Sequence, residues 1–78
     1  MTNSNEILVV RVAATGKLLR MSFCSDDSET VRLFVDNQFN RNVDLATAAD
    51  AAKNWLADVE GGYFDLFSKN DEALKTLL

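Results

Sequence analysis

Histidine is absent from these 78 residues, and cysteine occurs once, as Cys24. The first absence removes Ser/His and Cys/His nucleophile pairs and the side chain that ordinarily exchanges protons near neutral pH. The second removes any intrachain disulfide, and together they leave no Cys/His set for zinc at any spacing. Glycine occurs three times, too sparsely for a glycine-rich phosphate loop or a flexible low-complexity tail. Long apolar runs are missing too. The stretch Ile7 to Val10 is cut by Arg11, far short of a signal-peptide core or a membrane span, and Met1 to Asn5 contains no Lys or Arg. The expectation is a reduced cytoplasmic protein with no cofactor, no metal and no membrane association.

What is present is 47% hydrophobic and 26% charged residues, the composition of a single globular domain over residues 1–78. A domain of this size buries only about 60% of its chain's surface, so a net stability of roughly 3 to 5 kcal/mol is expected unless association adds to it. Charge is uneven along the chain. Acids and bases balance up to Val43, whereas Asp44, Asp50, Asp58, Glu60, Asp65, Asp71 and Glu72 stand against Lys53, Lys69 and Lys75 beyond it. The whole net charge of -4 lies in that second part. Such acidity disfavours general affinity for nucleic acid, which rests on Lys and Arg displacing counterions, and fits a protein partner better.

Glu6 to Ala13 is rich in β-branched residues, and Leu19, Met21 and Phe23 alternate in the segment Lys17 to Phe23, so both read as strands. Gly16 sits in the short connection between them, where a hairpin requires positive φ. After the acidic turn Ser25 to Glu29, the segment Thr30 to Asp36 supplies a third strand, completing an antiparallel meander. An even loop centred on Thr15-Gly16 places Val12 opposite Leu19, Val10 opposite Met21 and Leu8 opposite Phe23, an apolar face that Val31, Leu33 and Val35 extend. The same register puts Arg11 directly opposite Arg20 on the other face, with Arg32 and Phe34 beside them. Two facing arginines invite an anion, either a partner's carboxylate or the protein's own acidic loop or tail. The simpler expectation is a solvated face whose arginine stems lie over Ile7, Val9 and Leu18.

The asparagine-rich stretch Asn37 to Asn42, enclosing Phe39 and Arg41, reads as a polar link. Asp44 or Thr47 then caps a helix to about Glu60. Its apolar stripe is Leu45, Ala48, Ala49, Ala52, Trp55, Leu56 and Val59, with Asp50, Asn54 and Asp58 opposite. Gly61-Gly62 follows the stripe, where a left-handed helix terminus is expected, rather than preceding a helix as a phosphate cradle does. Tyr63 to Phe67 reads as a further strand, and Asn70 as the cap of a short closing helix through Ala73, Leu74, Leu77 and Leu78. The alternative keeps residues 63–78 wholly helical. The fold class is α+β, with element order βββαβα or, under the alternative, βββαα. Three aromatics within five residues make Tyr63 and Phe64 candidate contacts, because exposed aromatics often anchor interfaces. The C-terminal leucines suggest a self-association surface.

Among reactive groups, Asp26, Asp27 and Glu29 match no EF-hand spacing, and Cys24 at the end of an apolar strand reads as a buried, inert thiol. These features point to a non-enzymatic protein-protein interaction module, a small acidic inhibitor or adaptor of a larger macromolecular machine. Its candidate contacts are Arg11, Arg20, Arg32 and Phe34 on the sheet, Asp50 and Asp58 on the helix, and Tyr63 and Phe64 after the glycines. In general profile (small, acidic, mixed α and β) the chain is similar to phage-encoded inhibitors, anti-CRISPR proteins among them, a likeness carried by no residue motif. The alternatives are a self-associating assembly subunit, such as a homodimer, and a sheet-face nucleic-acid binder built on the three arginines, which has few aromatics to stack bases.

Overall fold

In the computed structural model, which describes residues 5–27 and 29–78, a five-stranded antiparallel sheet carries two helices. The elements are β1 (Glu6–Val12), β2 (Leu18–Phe23), β3 (Thr30–Val35), β4 (Gln38–Asp44), α1 (Leu45–Glu60), β5 (Phe64–Lys69) and α2 (Asp71–Leu77). The sheet order is β4-β3-β2-β1-β5. The chain therefore builds a meander, crosses back over it as α1, and returns as β5 against the first strand. The α+β class and the order of meander, helix, strand and short helix are those read from the sequence. The wholly helical tail is not formed.

The asparagine-rich stretch, expected as a polar link, is instead a fourth meander strand, β4, joined to β3 by the two-residue turn Asp36-Asn37 with φ of 53° and 67°. Both central residues in the left-handed region make a hairpin turn that matches the twist of the strands, and Asp and Asn tolerate that region best among non-glycine residues. Asp36 adds a second tie, with its Oδ1 accepting from the Leu18 amide at 3.0 Å. The strand is inconspicuous in sequence because it is an edge, exposed along most of its length, and polar side chains suit such an edge.

The β1/β2 register also differs. Val12 N–H donates to Lys17 O at 2.8 Å, so the loop is Ala13 to Gly16 and the pairs are Val10 with Leu19, Arg11 with Leu18 and Val9 with Arg20. Arg11 and Arg20 are consequently diagonal rather than face to face, which relieves their repulsion. The slip spans two residues, so each side chain keeps its face. At the start of β1 a bulge between Glu6 and Leu8 sends Ile7 into the core together with Leu8, so no arginine stem covers it.

The core joins Ile7, Leu8, Val10, Met21, Val31 and Leu33 of the sheet to Ala48 and Ala52 of α1 and to Ala73, Leu74 and Leu77 of α2. Both helices thus lie on one face. Alanines at the α1 contact let the helix approach closely, while Trp55 meets Phe64 edge to face at 6.5 Å. Asp44 caps α1 by accepting the Thr47 amide at 2.8 Å. At the other end Gly62 N–H donates to Val59 O and Tyr63 N–H to Asp58 O, a Schellman arrangement in which Gly62 takes φ of 84°. Asn70 caps α2 through the Ala73 amide at 3.2 Å.

Candidate functional site

With both helices on one side, the other side of the sheet has no helix over it among the described residues. The alternation of β1, β2 and β3 places Glu6, Arg11, Leu18, Arg20, Ser22, Arg32 and Phe34 there. Val9, flanked across the strands by Arg20 and Ser68, is only 1% exposed although it lies outside the helix-covered cluster. Long polar side chains close this face where a second layer would otherwise sit.

Each arginine on the face has a different environment. Arg11 Nη2 lies 3.1 Å from Asp65 Oδ2, an exposed pair joining β1 to β5. Arg20 Nε lies 3.4 Å from Glu6 Oε2. The geometry is not that of a hydrogen bond, so among the described residues this solvent-shielded nitrogen has no hydrogen-bond acceptor. Glu6 is held in turn by the Ser68 hydroxyl, which donates to Oε1 at 3.2 Å. Arg32 has no carboxylate partner among the described residues. Its guanidinium lies instead over two rings, 5.7 Å from the centre of Phe34 and 5.2 Å from that of Phe39. The rings themselves meet edge to face at 6.0 Å. The anions expected near these arginines are therefore partly internal: Glu6 and Asp65 serve Arg20 and Arg11.

Arg20 and Arg32 occupy diagonal positions, since Arg20 pairs with Phe34 and Ser22 with Arg32. Together with Glu6, Ser22 and Phe34 they line a hollow of about 230 Å³. Cationic groups held in place by a carboxylate and by aromatic rings can read a planar anion through forked N–H donors.

The other sequence candidates separate. Asp50 and Asp58 lie on the exposed side of α1, away from the arginines' face. Tyr63 is 60% exposed, but Phe64, expected beside it as a contact, is 7% exposed and belongs to the core. It pairs with Val12 on the helix-covered face and packs against Trp55, and the strand's pleat turns it inward. A bulge in β5, opposite Val9 and Val10, leaves Phe67 outside the ladder and breaks the strand's alternation there. Phe67 is 64% and Leu66 is 44% exposed. Leu74 and Leu77 are buried, leaving only Leu78 of the C-terminal leucines exposed. Cys24 is half-buried rather than buried.

Comparison of the chain with protein-family models, curated proteins and solved structures yields no match. Among the described residues, no helix is long and apolar enough to cross a membrane, and no three His, Cys, Asp or Glu side chains converge on a possible metal position. Asp27 has a structural task in the acidic turn. Its carboxylate accepts from the Glu29 amide at 2.9 Å and from the Thr30 hydroxyl at 2.8 Å. Those bonds, the amide's first, hold the carboxyl below the usual Asp value.

Sequence reasoning missed Phe39, Glu6 and the exposed Leu66 and Phe67. Phe39 is legible only once Asp36-Asn37 is read as a hairpin turn, because the turn alone brings Phe39 opposite Phe34. Glu6 becomes visible only with the bulge that separates it from Ile7.

Proposed function

We propose that this protein is a non-catalytic protein-binding module that engages a larger partner, as an inhibitor or adaptor, through the helix-free face of its sheet. The observation that carries this reading is Arg32, stacked on Phe34 and Phe39 without a carboxylate of its own among the described residues. Arginine and aromatic residues are the types most enriched among interface hot spots, where a preorganised guanidinium loses little freedom on binding. Surface complementarity is also the chemistry this composition offers, since no histidine is available to a nucleophile or proton shuttle. The acidic helix side, with Asp50 and Asp58, keeps the opposite surface solvated under this reading.

Photo-crosslinking in cells tests it. A photoreactive residue at Phe39 is expected to give a discrete protein adduct that disappears in an Arg32→Glu background, while the same probe at Asp50 gives none. Adducts from the Asp50 position alone would transfer the function to the helix.

A second reading is favoured by β5. Tyr63, Leu66 and Phe67 are all exposed on or beside an edge strand, and an uncovered apolar edge is a template for pairing with another strand. Self-association through this edge would make the protein an assembly subunit. Light scattering after size-exclusion chromatography decides it: a dimer that Phe67→Glu converts to monomer supports this reading, and a monomer at high micromolar concentration removes it.

A further inference from the structure

The hollow between Arg20 and Arg32 has chemistry that narrows what it would accept. Among the described residues its charged lining is two guanidiniums and one carboxylate, Glu6, a formal balance of +1. Glu6 stands beside Nε of Arg20, and Arg32 is not neutralised among the described residues. Both cations are oriented before any ligand arrives, one by a carboxylate that Ser68 secures and the other by two rings. A preorganised cation loses less rotamer freedom on binding than a free surface arginine, and the forked planar guanidinium matches the two oxygens of a carboxylate.

We infer that this hollow binds a single carboxylate, the side chain of a Glu or Asp in an exposed segment of a partner protein. The inference deepens the proposed function by naming the chemistry that the helix-free face reads, and it rests on that reading for its biological setting. The charge balance separates one carboxylate from other anions. A phosphate carries about two negative charges near neutral pH and overshoots a balance of +1, with Glu6 repelling the excess. A nucleic-acid strand would in addition meet the protein's net charge of -4 over the rest of its path. The volume of about 230 Å³ accommodates a carboxylate with the methylene groups behind it, and the Phe34 ring supplies an apolar wall for that stem.

The test is a nuclear magnetic resonance titration of the purified full chain, following the side-chain Nε–Hε signals of Arg20 and Arg32. The probe is a blocked pentapeptide, acetyl-Gly-Ser-Glu-Ser-Gly-amide. Controls are the same peptide with Gln for Glu, the peptide with phosphoserine at that place, and a short oligothymidine. The expected result is a saturable shift of both arginine signals at millimolar Glu peptide, none with the Gln peptide, and weaker binding of the other two. Arg32→Gln is expected to weaken Glu-peptide binding at least about tenfold, as loss of a charge-assisted pair does, with unchanged backbone spectra away from the hollow. Phe39→Leu, which removes one stacked ring and keeps both charges, is expected to weaken it several-fold.

Equal response to the Glu and Gln peptides, tighter binding of the phosphopeptide or oligonucleotide, or an Arg32→Gln variant that binds as well as the parent would each overturn the inference. Its failure is separable from failure of the proposed function. Adducts at Phe39 with no carboxylate response would remove only the ligand assignment, whereas a carboxylate response with adducts solely at Asp50 would remove only the protein-binding role of this face.

Discussion

Arg20 Nε lies 3.4 Å from Glu6 Oε2, with both side chains about one-third exposed. This half-buried pair joins the start of β1 to the middle of β2 and, through Ser68, to β5. Its coupling is expected to exceed that of a more exposed pair, because water screens it less. A double-mutant cycle with Glu6→Gln and Arg20→Gln, read by urea denaturation, is expected to give a coupling of about 1 kcal/mol. The same cycle on the exposed Arg11 and Asp65 is expected to give no more than about half of that. Equal couplings would mean that partial burial makes no difference here.

Adjacent aromatics in the chain should differ sharply in what they contribute to stability. Phe64 fills the end of the core beside Trp55, and Phe64→Ala is expected to cost about 3 kcal/mol through lost contacts and a residual cavity. Phe67 is mostly solvated, and Phe67→Ser is expected to stay within about 0.5 kcal/mol of the parent. Urea midpoints for the two variants check this, and a large loss at Phe67 would show that its exposed ring is covered in solution, as it would be in a dimer.

The paired glycines after α1 should respond in opposite ways to alanine. Gly62 holds φ of 84°, where an L side chain is strained whatever space surrounds it, and Gly62→Ala is expected to cost about 1 kcal/mol. Gly61 has an ordinary helical φ of -76°, and a Cβ there would meet Ala57 O at 3.6 Å, a normal contact. Gly61→Ala is expected to be neutral or stabilising by up to about 1 kcal/mol. Thermal melts of both variants suffice, and the reverse order would refute the Schellman geometry.

Acid should loosen the helix start. The Thr47 hydroxyl, followed by its amide, holds the Asp44 carboxyl below its usual value of 3.8. The folded state thus releases this proton more readily than the unfolded chain does. The resulting stabilisation is complete above the unfolded value and is lost as pH falls from about 4 through the lower folded value. Asp27 acts with the same sign. Asp44→Asn keeps a good cap but cannot titrate, so its melting temperature is expected to fall less steeply than the parent's below pH 4. Parallel slopes would exclude Asp44 as a contributor.

Much of the fold was legible because it depends on local periodicity. The β-branched alternation of β1 to β3, the alanine-rich stripe of α1, the Asp44 and Asn70 caps and the glycine stop after Glu60 each follow from interactions spanning a few residues. The fourth strand was not legible: an edge strand buries almost nothing, so Gln38 to Asp44 carries no strong apolar alternation, and only the Asp36-Asn37 turn marks it. Two bulges in β1 and β5 were hidden for a related reason. A single extra residue re-aims Ile7 and sets Phe67 out of register without altering the composition of either segment.

For the candidate site the division is similar. Arg11, Arg20, Arg32 and Phe34 could be assigned to one sheet face from parity alone, because a two-residue register slip leaves the faces intact. Which arginine is neutralised could not be read that way, since Glu6, Asp65 and Phe39 reach their partners across strand pairings set by turns and bulges.

The chain by itself determined that histidine chemistry and an intrachain disulfide lie outside these 78 residues, and it determined the elements that local spacing can encode. Only the tertiary structure decided that both helices share one face, that Phe64 turns inward while Phe67 turns out, and that Arg32 rests on two rings rather than on an acid. These outcomes depend on long-range packing, in which a residue's surroundings come from segments far away in sequence and no local pattern records them.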